Sequence, residues 1–374
     1  MTQLLPAALT SLDVALRLVM NGVSPVEPID VSVSTSVGSV AAAVPPLRQG
    51  HPASSMAVSD GWALRALDTV GASSYSPVPL VMSPFWVEAG DCLPSDWDCV
   101  LDADLVEQVG RMCYVLAEAV PGHGIRRTGD DMAAGRSIVA PGERVTAFDL
   151  LVARATGFES MSVRSPRVSV IDIPSADGNT ASSQFVLEFV KAAGARAVGL
   201  QAKGRDAASI SAAIGGDAYD LIVTIGGTGV GRTDATIEAL AARGAHVIHG
   251  LAQQPGRTAA VGKLDLMPVI AAPGAPDQAM AVCLMLVQPA LDLLAQKPPR
   301  RVFMRPLARK ISSSVGVAEV VLLETLNETW MPIAVGKLSL DAIARADAWF
   351  LVPGNSEGYA AGTTVGGFPL RDTM

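Results

Sequence analysis

The sequence predicts a multidomain α/β protein, because three stretches of the 374-residue chain follow different patterns. Between residues 166 and 297, short apolar runs that suit buried strands alternate with stretches of helical spacing, which is typical of a parallel, doubly wound sheet. Between residues 46 and 135, short apolar runs are broken by Pro, Gly and Asp, as in a small β domain. Beyond residue 298, apolar runs at 315–323 and 349–352 predict a C-terminal β domain.

Capping residues, terminating glycines and the spacing of apolar residues predict the individual helices and strands. Ser11 is placed to cap a helix over residues 12–20, and Thr146 to cap a helix that ends at Gly157. Residues 29–44 alternate in part between apolar and polar, which predicts a strand, a loop and a second strand. In the α/β stretch we expect strands at 168–173, 196–200, 221–224 and 247–248, and helices at 185–193 and 206–214.

Composition narrows the class of protein. Hydrophobic residues make up 49% of the chain and aromatic residues only 5%, which suits a core packed by Ala, Val and Leu. The 36 acidic and 28 basic side chains give a net charge of −8, which disfavours nucleic acid as a partner. The four cysteines form no CxxC pair and fit a reducing compartment.

The sequence predicts a soluble, cytoplasmic protein without a membrane partner. The N-terminal residues lack the basic region of a signal peptide and include Asp13. The longest apolar run, residues 279–291, is shorter than a membrane span and contains Pro289.

The most informative segment is DLIVTIGGTGVGRTD, residues 220–234, in which a strand is followed by glycines and then by the helix-like run ATIEALAARG. Glycines let the backbone approach a ligand closely, and a helix N-terminus favours an anion such as phosphate. A tight turn without a ligand is the alternative, but such a turn needs none of the polar side chains present here. The segment, called the glycine loop below (residues 226–231), therefore predicts an anion site. The glycines are Gly226, Gly227, Gly229 and Gly231, and the polar residues are Thr224, Thr228, Arg232, Thr233 and Asp234.

The spacing of the glycine loop is neither that of Walker A nor that of the Rossmann fingerprint, since no Gly-Lys-Ser/Thr follows and no ribose-binding acid is apparent. It resembles the S/T-x-G-G-x-S/T-x-G segment of molybdopterin-binding proteins of the MogA/MoeA kind. Further motifs resemble the MoeA family, the molybdopterin molybdotransferases also found in gephyrin. They lie in the family's order along the full length, at residues 59–68, 93–100, 125–132, 255–257 and 273–276.

The resemblance implies four domains and an elongated homodimer. The expected domains are a discontinuous N-terminal linker and dimerisation domain (1–45 and 136–165), an inserted β domain (46–135), a MogA-like molybdopterin-binding α/β domain (166–297) and a C-terminal β barrel (298–374).

The resemblance also implies a chemistry, the hydrolysis of adenylylated molybdopterin with molybdate and a divalent cation such as Mg²⁺, which releases AMP. Asp60 and Asp131 stand in the matching motifs and are the candidates for catalysis and for metal or water positioning; the alternative is a loop carboxylate bonded to nearby N–H groups. The pterin, its phosphate or its adenylate is expected to contact Thr224, Gly226, Gly227, Thr228, Gly229, Gly231, Arg232, Asp234, Pro255, Gly256, Arg257, Lys263, Pro273 and Gly274.

Several positions depart from the family pattern where the chemistry belongs. The segment 172–176 lacks the family's acidic pair, although Asp177 could substitute from a displaced position. Gln254 replaces a lysine, and the segment 272–278 has lost an asparagine and a serine. Asp206 still matches one family acid. Glycines, prolines and apolar positions are kept, so the pattern indicates a retained scaffold with a remodelled pocket.

Three hypotheses about function follow. The first is a divergent molybdotransferase of molybdenum cofactor biosynthesis. The second is a non-catalytic protein that carries or sequesters molybdopterin, or pairs with another cofactor protein. The third is an α/β protein whose glycine loop binds another nucleotide.

Overall fold

The computed structural model describes residues 3–6, 8–215 and 219–371. The chain divides into two compact units. Unit 1 comprises Met1–Ala43, Pro141–Thr146 and Ser160–Met374, and unit 2 comprises Val44–Ala140 and Ala147–Glu159.

Eight α-helices lie in the described residues. They are α1 (Leu12–Met20), α2 (Ala147–Ala155), α3 (Ala181–Ala192), α4 (Ala207–Ala213), α5 (Thr236–Ala242), α6 (Pro276–Val282), α7 (Gln288–Leu294) and α8 (Leu340–Arg345). A π-helical turn, Cys283–Val287, joins α6 to α7, and short 3₁₀ turns lie at Val33–Thr35, Ala66–Thr69 and Ala103–Leu105.

The strands of the described residues are β1 (Ile29–Ser32), β2 (Val40–Ala41), β3 (Met56–Ala57), β4 (Gly61–Leu64), β5 (Val78–Pro79), β6 (Phe85–Val87), β7 (Cys99–Asp102), β8 (Val106–Val109), β9 (Met112–Val115), β10 (Ile125–Arg126), β11 (Ser160–Arg164), β12 (Arg167–Asp172), β13 (Arg196–Gln201), β14 (Leu221–Ile225), β15 (His246–His249), β16 (Gln253–Gln254), β17 (Ala260–Leu264), β18 (Met267–Ala272), β19 (Phe303–Pro306), β20 (Ile311–Ser312), β21 (Ala318–Leu326), β22 (Thr329–Val335), β23 (Ala348–Val352), β24 (Gly358–Tyr359) and β25 (Thr364–Pro369).

The main sheet of unit 1 has the strand order β13-β12-β14-β18-β17-β15. The first four strands run parallel, as the alternating pattern predicts. β17 runs in the opposite direction, because the short turn at Asp265, with φ of 53°, makes a hairpin of β17 and β18, and β17 also pairs antiparallel with β15. The sheet is therefore mixed at this edge, where the sequence pattern predicts parallel strands.

Apolar side chains from the two faces of the main sheet pack into two separate clusters, which is the doubly wound arrangement. Val170 and Val223 pack into one cluster with α1, α3 and the α6–α7 segment. Ile171 and Ile222 point to the other face and pack with α4 and α5. This alternation follows from the two-residue period of a strand.

The segment Pro276–Leu294 is a continuous run of 19 helical residues and contains the whole apolar run 279–291. By length and composition it could cross a membrane, but 67% of its most apolar window is buried inside the protein. Cys283 lies in its middle and is fully buried, which raises the pKa of its thiol. Its burial shows that this helix is part of the hydrophobic core of unit 1.

The described part of unit 1 has three further sheets, one of them the two-stranded pair of β20 and β24. β1, β11 and β2 form a three-stranded antiparallel sheet. The C-terminal sheet has the order β16-β21-β23-β25-β19, with β22 paired to β21, and encloses the fully buried Trp330.

Unit 2 consists mainly of short strands, as its sequence pattern predicts. β6-β4-β7 and β5-β9-β8 form two three-stranded sheets, and β10 pairs with β3. Small apolar clusters around Leu101 and Val100 form its core.

Candidate functional site

The candidate site lies where three neighbouring parallel strands of the main sheet end. β12, β14 and β18 all run in the same direction, so their carboxyl ends meet at one edge. Ligands of open α/β sheets bind at this edge. A cavity of about 470 Å³ opens there. It is lined by Asp172, Ile173, Ser175, Asp177, Asn179, Ser182, Ser183, Arg205, Ile225, Gly226, Gly227, Thr228, Gly229, Asp234, Thr258, Pro273, Gly274, Ala275, Pro276 and Gln278.

The glycine loop leaves the end of β14 in a conformation that requires glycine. Gly226 and Gly227 have φ values of +100° and +65°, in the left-handed region. The carbonyl of Gly226 accepts a hydrogen bond from the hydroxyl of Thr236, at 2.9 Å. Nε2 of His249 lies 2.9 Å from the carbonyl oxygen of Thr228. His249 therefore helps to hold the loop in place.

A residue from the N-terminal segment also contacts the glycine loop. The amide nitrogen of Gln3 donates to the carbonyl oxygens of Gly227 and Gly229, at 3.0 and 2.9 Å. Its amide oxygen accepts from the backbone N–H of Ile237, at 2.7 Å. Gln3 is not predictable from the sequence, since a lone glutamine more than 200 positions before the loop carries no local signal.

Arg205 is a second residue that the sequence analysis does not identify. Its guanidinium donates to the carbonyl of Pro174 at 2.6 Å and to Oδ1 of Asp234 at 3.0 Å. Oδ2 of Asp234 accepts from the N–H of Gly231, also at 3.0 Å. Arg205 brings positive charge to the cavity wall and ties the loop after β12 to the glycine loop.

Two acids line the cavity near β12, and each already has polar partners. Asp172 accepts from the amide of Gln201 at 2.9 Å. Asp177 accepts from the hydroxyl of Ser175 at 2.6 Å and from the N–H of Asn179 at 3.1 Å. These hydrogen bonds hold the pKa of Asp177 below its ordinary value.

Asp206, which matches a family acid, is a helix cap. Its carboxylate accepts from the N–H of Ser209 at 2.9 Å and from the hydroxyl of the same residue at 2.6 Å. The hydroxyl bond and then the backbone bond lower the pKa of this carboxyl. Asp206 therefore begins α4, and it is not among the residues that line the cavity.

The structure brings half of the fourteen predicted ligand residues to the cavity. The lining residues among them are Gly226, Gly227, Thr228, Gly229, Asp234, Pro273 and Gly274. Thr224 is fully buried within β14, and its hydroxyl meets no partner in the described part of the chain. Gly231 and Arg232 are exposed beyond the cavity wall.

The loop Pro255–Gly256–Arg257 follows β16 and leads into Thr258, which lines the cavity. Arg257 itself is exposed and lies outside the lining set. Only the residue after this predicted loop therefore reaches the cavity wall.

Lys263 lies away from the cavity. It pairs with Pro268, near the amino end of β18, whereas the cavity lies at the carboxyl end of that strand. Its ammonium donates to the carbonyl of Asn21. The structure does not bring Lys263 to the predicted ligand, because the β17–β18 hairpin carries it to the opposite edge of the sheet.

Asp60 and Asp131 both lie in unit 2. Oδ1 of Asp60 accepts from the N–H of Ala89 at 2.8 Å. Asp131 forms an ion pair with Arg126 at 3.2 Å, and Nε2 of His51 lies 4.0 Å from it. Their assignment to catalysis stays a prediction.

The metal prediction can be compared with the donor sets of the structure. Within residues 3–6, 8–215 and 219–371, no group of three or more His, Cys, Asp or Glu side chains is placed to hold a metal ion. Mg²⁺ prefers several oxygen ligands in near-octahedral geometry. It usually keeps several waters and binds one or two carboxylates together with substrate phosphates, so the assignment of a metal to Asp60 and Asp131 stays a prediction.

Comparison with known proteins bears on the whole chain. A family model described as "MoeA N-terminal region (domain I and II)" matches residues 10–157, and one described as "Probable molybdopterin binding domain" matches residues 170–293. The crystal structure of a molybdopterin biosynthesis MoeA protein from Pyrococcus horikoshii has a TM-score of 0.71 and 23% sequence identity, and covers 97% of this chain and 99% of its own. This chain belongs to the MoeA family.

Two named relatives are similar to this MoeA-family protein over much of its length. A protein of Methanocaldococcus jannaschii that is named for molybdopterin biosynthesis is 25% identical over 347 residues, 84% of this chain and 85% of that protein. Molybdopterin molybdenumtransferase 2 of Mycobacterium tuberculosis is 28% identical over 281 residues, 64% of this chain and 68% of that protein. The predicted MoeA-like fold is confirmed, and the candidate cavity lies within the part matched by the molybdopterin-binding model.

Proposed function

We propose that this protein acts in molybdenum cofactor biosynthesis and holds molybdopterin or its adenylate in the cavity at the carboxyl edge of the main sheet. The observation that carries the proposal is the glycine loop, whose N–H groups are available to an anion. Across the described residues, the N–H groups of Gly227, Thr228 and Gly229 meet no protein acceptor. Successive free N–H groups form a concave site for phosphate oxygens.

Arg205 is the cationic side chain among the lining residues, but it is paired with Asp234 at 3.0 Å, so the free N–H groups of the glycine loop carry the proposed contact with the phosphate. Two long helical segments have their N-terminal ends at the cavity wall. Ser182 is the second residue of α3, and Pro276 is the first residue of the 19-residue helical segment. A helix N-terminus favours an anion, so both segments support the same kind of ligand.

We further propose that the reaction is the insertion of molybdate into adenylylated molybdopterin, with release of AMP. Support comes from the names of relatives, several of which are molybdopterin molybdenumtransferases. Asp131 and Asp60 are the proposed catalytic carboxylates. No step is assigned to Mg²⁺ here, and these two carboxylates would be the residues to hold it.

A second candidate function, a carrier that binds molybdopterin without turnover, is favoured by a specific observation. Asp172 and Asp177 are the acids near β12, and both are engaged with neighbouring residues. Because hydrogen bonds already occupy these carboxylates, this favours a pocket that retains binding more fully than chemistry.

Turnover separates these two candidates. The test measures conversion of adenylylated molybdopterin to molybdenum cofactor with added molybdate, and complementation of a strain that lacks its molybdotransferase. A transferase restores molybdoenzyme activity, and Asp131→Asn abolishes it while molybdopterin binding persists. The matched control is Asp104→Asn, which changes an exposed acid of the same unit.

A carrier would bind molybdopterin without conversion, and neither substitution would matter. Binding of ATP or NAD with no affinity for a pterin would overturn both candidates.

We also propose a homodimer in the cytoplasm, in line with the family resemblance. Sedimentation equilibrium of the full chain measures the mass directly. A monomer at micromolar concentration would contradict the dimer.

A further inference from the structure

The strongest feature outside the predicted site is the set of donors behind the glycine loop. The carbonyl oxygens of its first four residues all accept hydrogen bonds from side chains. Thr236 donates to Gly226, Gln3 to Gly227 and Gly229, and His249 contacts Thr228. Because each peptide group is planar, a carbonyl held from behind turns the next N–H toward the opposite side.

Gln3 differs from the other two donors because it comes from a distant part of the chain. Thr236 lies in the helix that follows the loop, and His249 ends a strand of the same sheet. Gln3 contacts two loop carbonyls and the N–H of Ile237 at the beginning of α5. Its side chain therefore links the glycine loop to the first turn of α5 through one planar group.

The N-terminal segment is held on unit 1 by contacts beyond Gln3. The N–H of Thr10 donates to the carbonyl of Gly250 at 3.0 Å, and the N–H of Ala252 donates to Thr10 at 2.7 Å. Leu5 and Leu9 pack so closely on Gly250 that an added Cβ would lie 3.0 and 3.1 Å from their methyl groups. Gly250 follows His249 directly, so the same contact region supports two of the loop donors.

We propose that Gln3 is a positioning residue for the ligand of the glycine loop, and that the N-terminal segment is part of this binding site. Gln3 holds the loop in the conformation that presents its N–H groups to a phosphate. The ligand then meets a prearranged set of donors and avoids the entropic cost of ordering them. The identity of the ligand rests on the proposed function, whereas the ordering of the loop does not.

The test combines three variants of the full chain. Gln3→Ala removes all three hydrogen bonds. Gln3→Glu keeps the acceptor for Ile237 but loses both donations and adds a negative charge near the anion. Leu4→Ala is the matched control, because Leu4 is 79% exposed in the same segment.

We expect Gln3→Ala to weaken molybdopterin binding about tenfold, and Gln3→Glu to weaken it further, while Leu4→Ala leaves it unchanged. The thermal unfolding midpoint should fall by only a few degrees in the two Gln3 variants, which lose partly exposed hydrogen bonds, and should be unchanged in Leu4→Ala. In the absence of ligand, amide exchange at residues 226–237 should accelerate in both Gln3 variants.

Two results would overturn the proposal. In one, exchange in the loop is unchanged in Gln3→Ala. In the other, the loop exchanges faster but molybdopterin affinity is unaffected, so that Gln3 is only structural. If the parent protein binds no molybdopterin, the proposed function fails, and affinity for inorganic phosphate, compared across the three variants, decides the role of Gln3.

Discussion

At the scale of single residues, two buried threonines show how position decides the role of a hydroxyl. Thr224 and Thr236 are both fully buried next to the glycine loop. The hydroxyl of Thr236 donates to Gly226, whereas that of Thr224 meets no partner within the described residues. Burying an unpaired hydroxyl costs free energy, and pairing it recovers most of that cost.

We expect Thr224→Val to raise the free energy of unfolding by about 1 kcal/mol, because it replaces an unpaired buried hydroxyl by a methyl group of the same shape. Thr236→Val is the matched control and should lower it by a similar amount, since it strands the carbonyl of Gly226. Urea unfolding measures both changes. Molybdopterin affinity should be unaffected in Thr224→Val, because Thr224 does not line the cavity.

A loss of molybdopterin affinity in Thr224→Val would instead support the sequence-based prediction that Thr224 contacts the ligand.

At the scale of elements, the connection from β14 to α5 depends on one close approach. A Cβ added at Gly227 would lie 2.4 Å from the hydroxyl oxygen of Thr236, and the residue has φ of +65°. Side chains other than glycine are strained in this region by about 1–3 kcal/mol. The glycine is therefore required both by backbone conformation and by the approach of the helix.

Gly227→Ala should lower the free energy of unfolding by about 2 kcal/mol and weaken molybdopterin binding at least tenfold, because the loop must shift away from α5. Gly215→Ala is the control, since an added Cβ there meets nothing within 4 Å. Chemical denaturation and equilibrium binding measure the two effects. Equal behaviour of the two variants would show that the loop has room to adapt.

At the scale of the whole molecule, the lining residues of the candidate cavity all belong to unit 1, and the two predicted catalytic acids belong to unit 2. Binding and chemistry are thus assigned to different compact units of one chain. This division allows the ligand contacts to be tested without the reaction.

Hydrogen exchange with and without molybdopterin should show this division. We expect slower exchange in peptides that cover residues 172–183, 225–237 and 272–278, which line the cavity. Slower exchange in peptides that contain Asp60 or Asp131 as well is expected only if these acids contact the ligand, as the transferase proposal requires. Protection confined to unit 2 would contradict the assignment of the ligand to the cavity.

The sequence by itself determined the α/β class, the parallel strands, the glycine loop and the family. These features depend on residues that are close together in the sequence. They are apolar runs of strand length, glycines after a strand, and motifs in a fixed order. The predicted bounds of α1 agree with the structure because its apolar period and flanking residues are contained within one short segment.

Tertiary structure alone decided which residues meet at the site. Lys263 is carried to the opposite edge of the sheet by the direction of β17, and Arg205 reaches Asp234 across two neighbouring loops. Gln3 reaches the glycine loop across 224 positions of sequence. Strand order and strand direction set these contacts, and neither is encoded in the spacing of nearby residues.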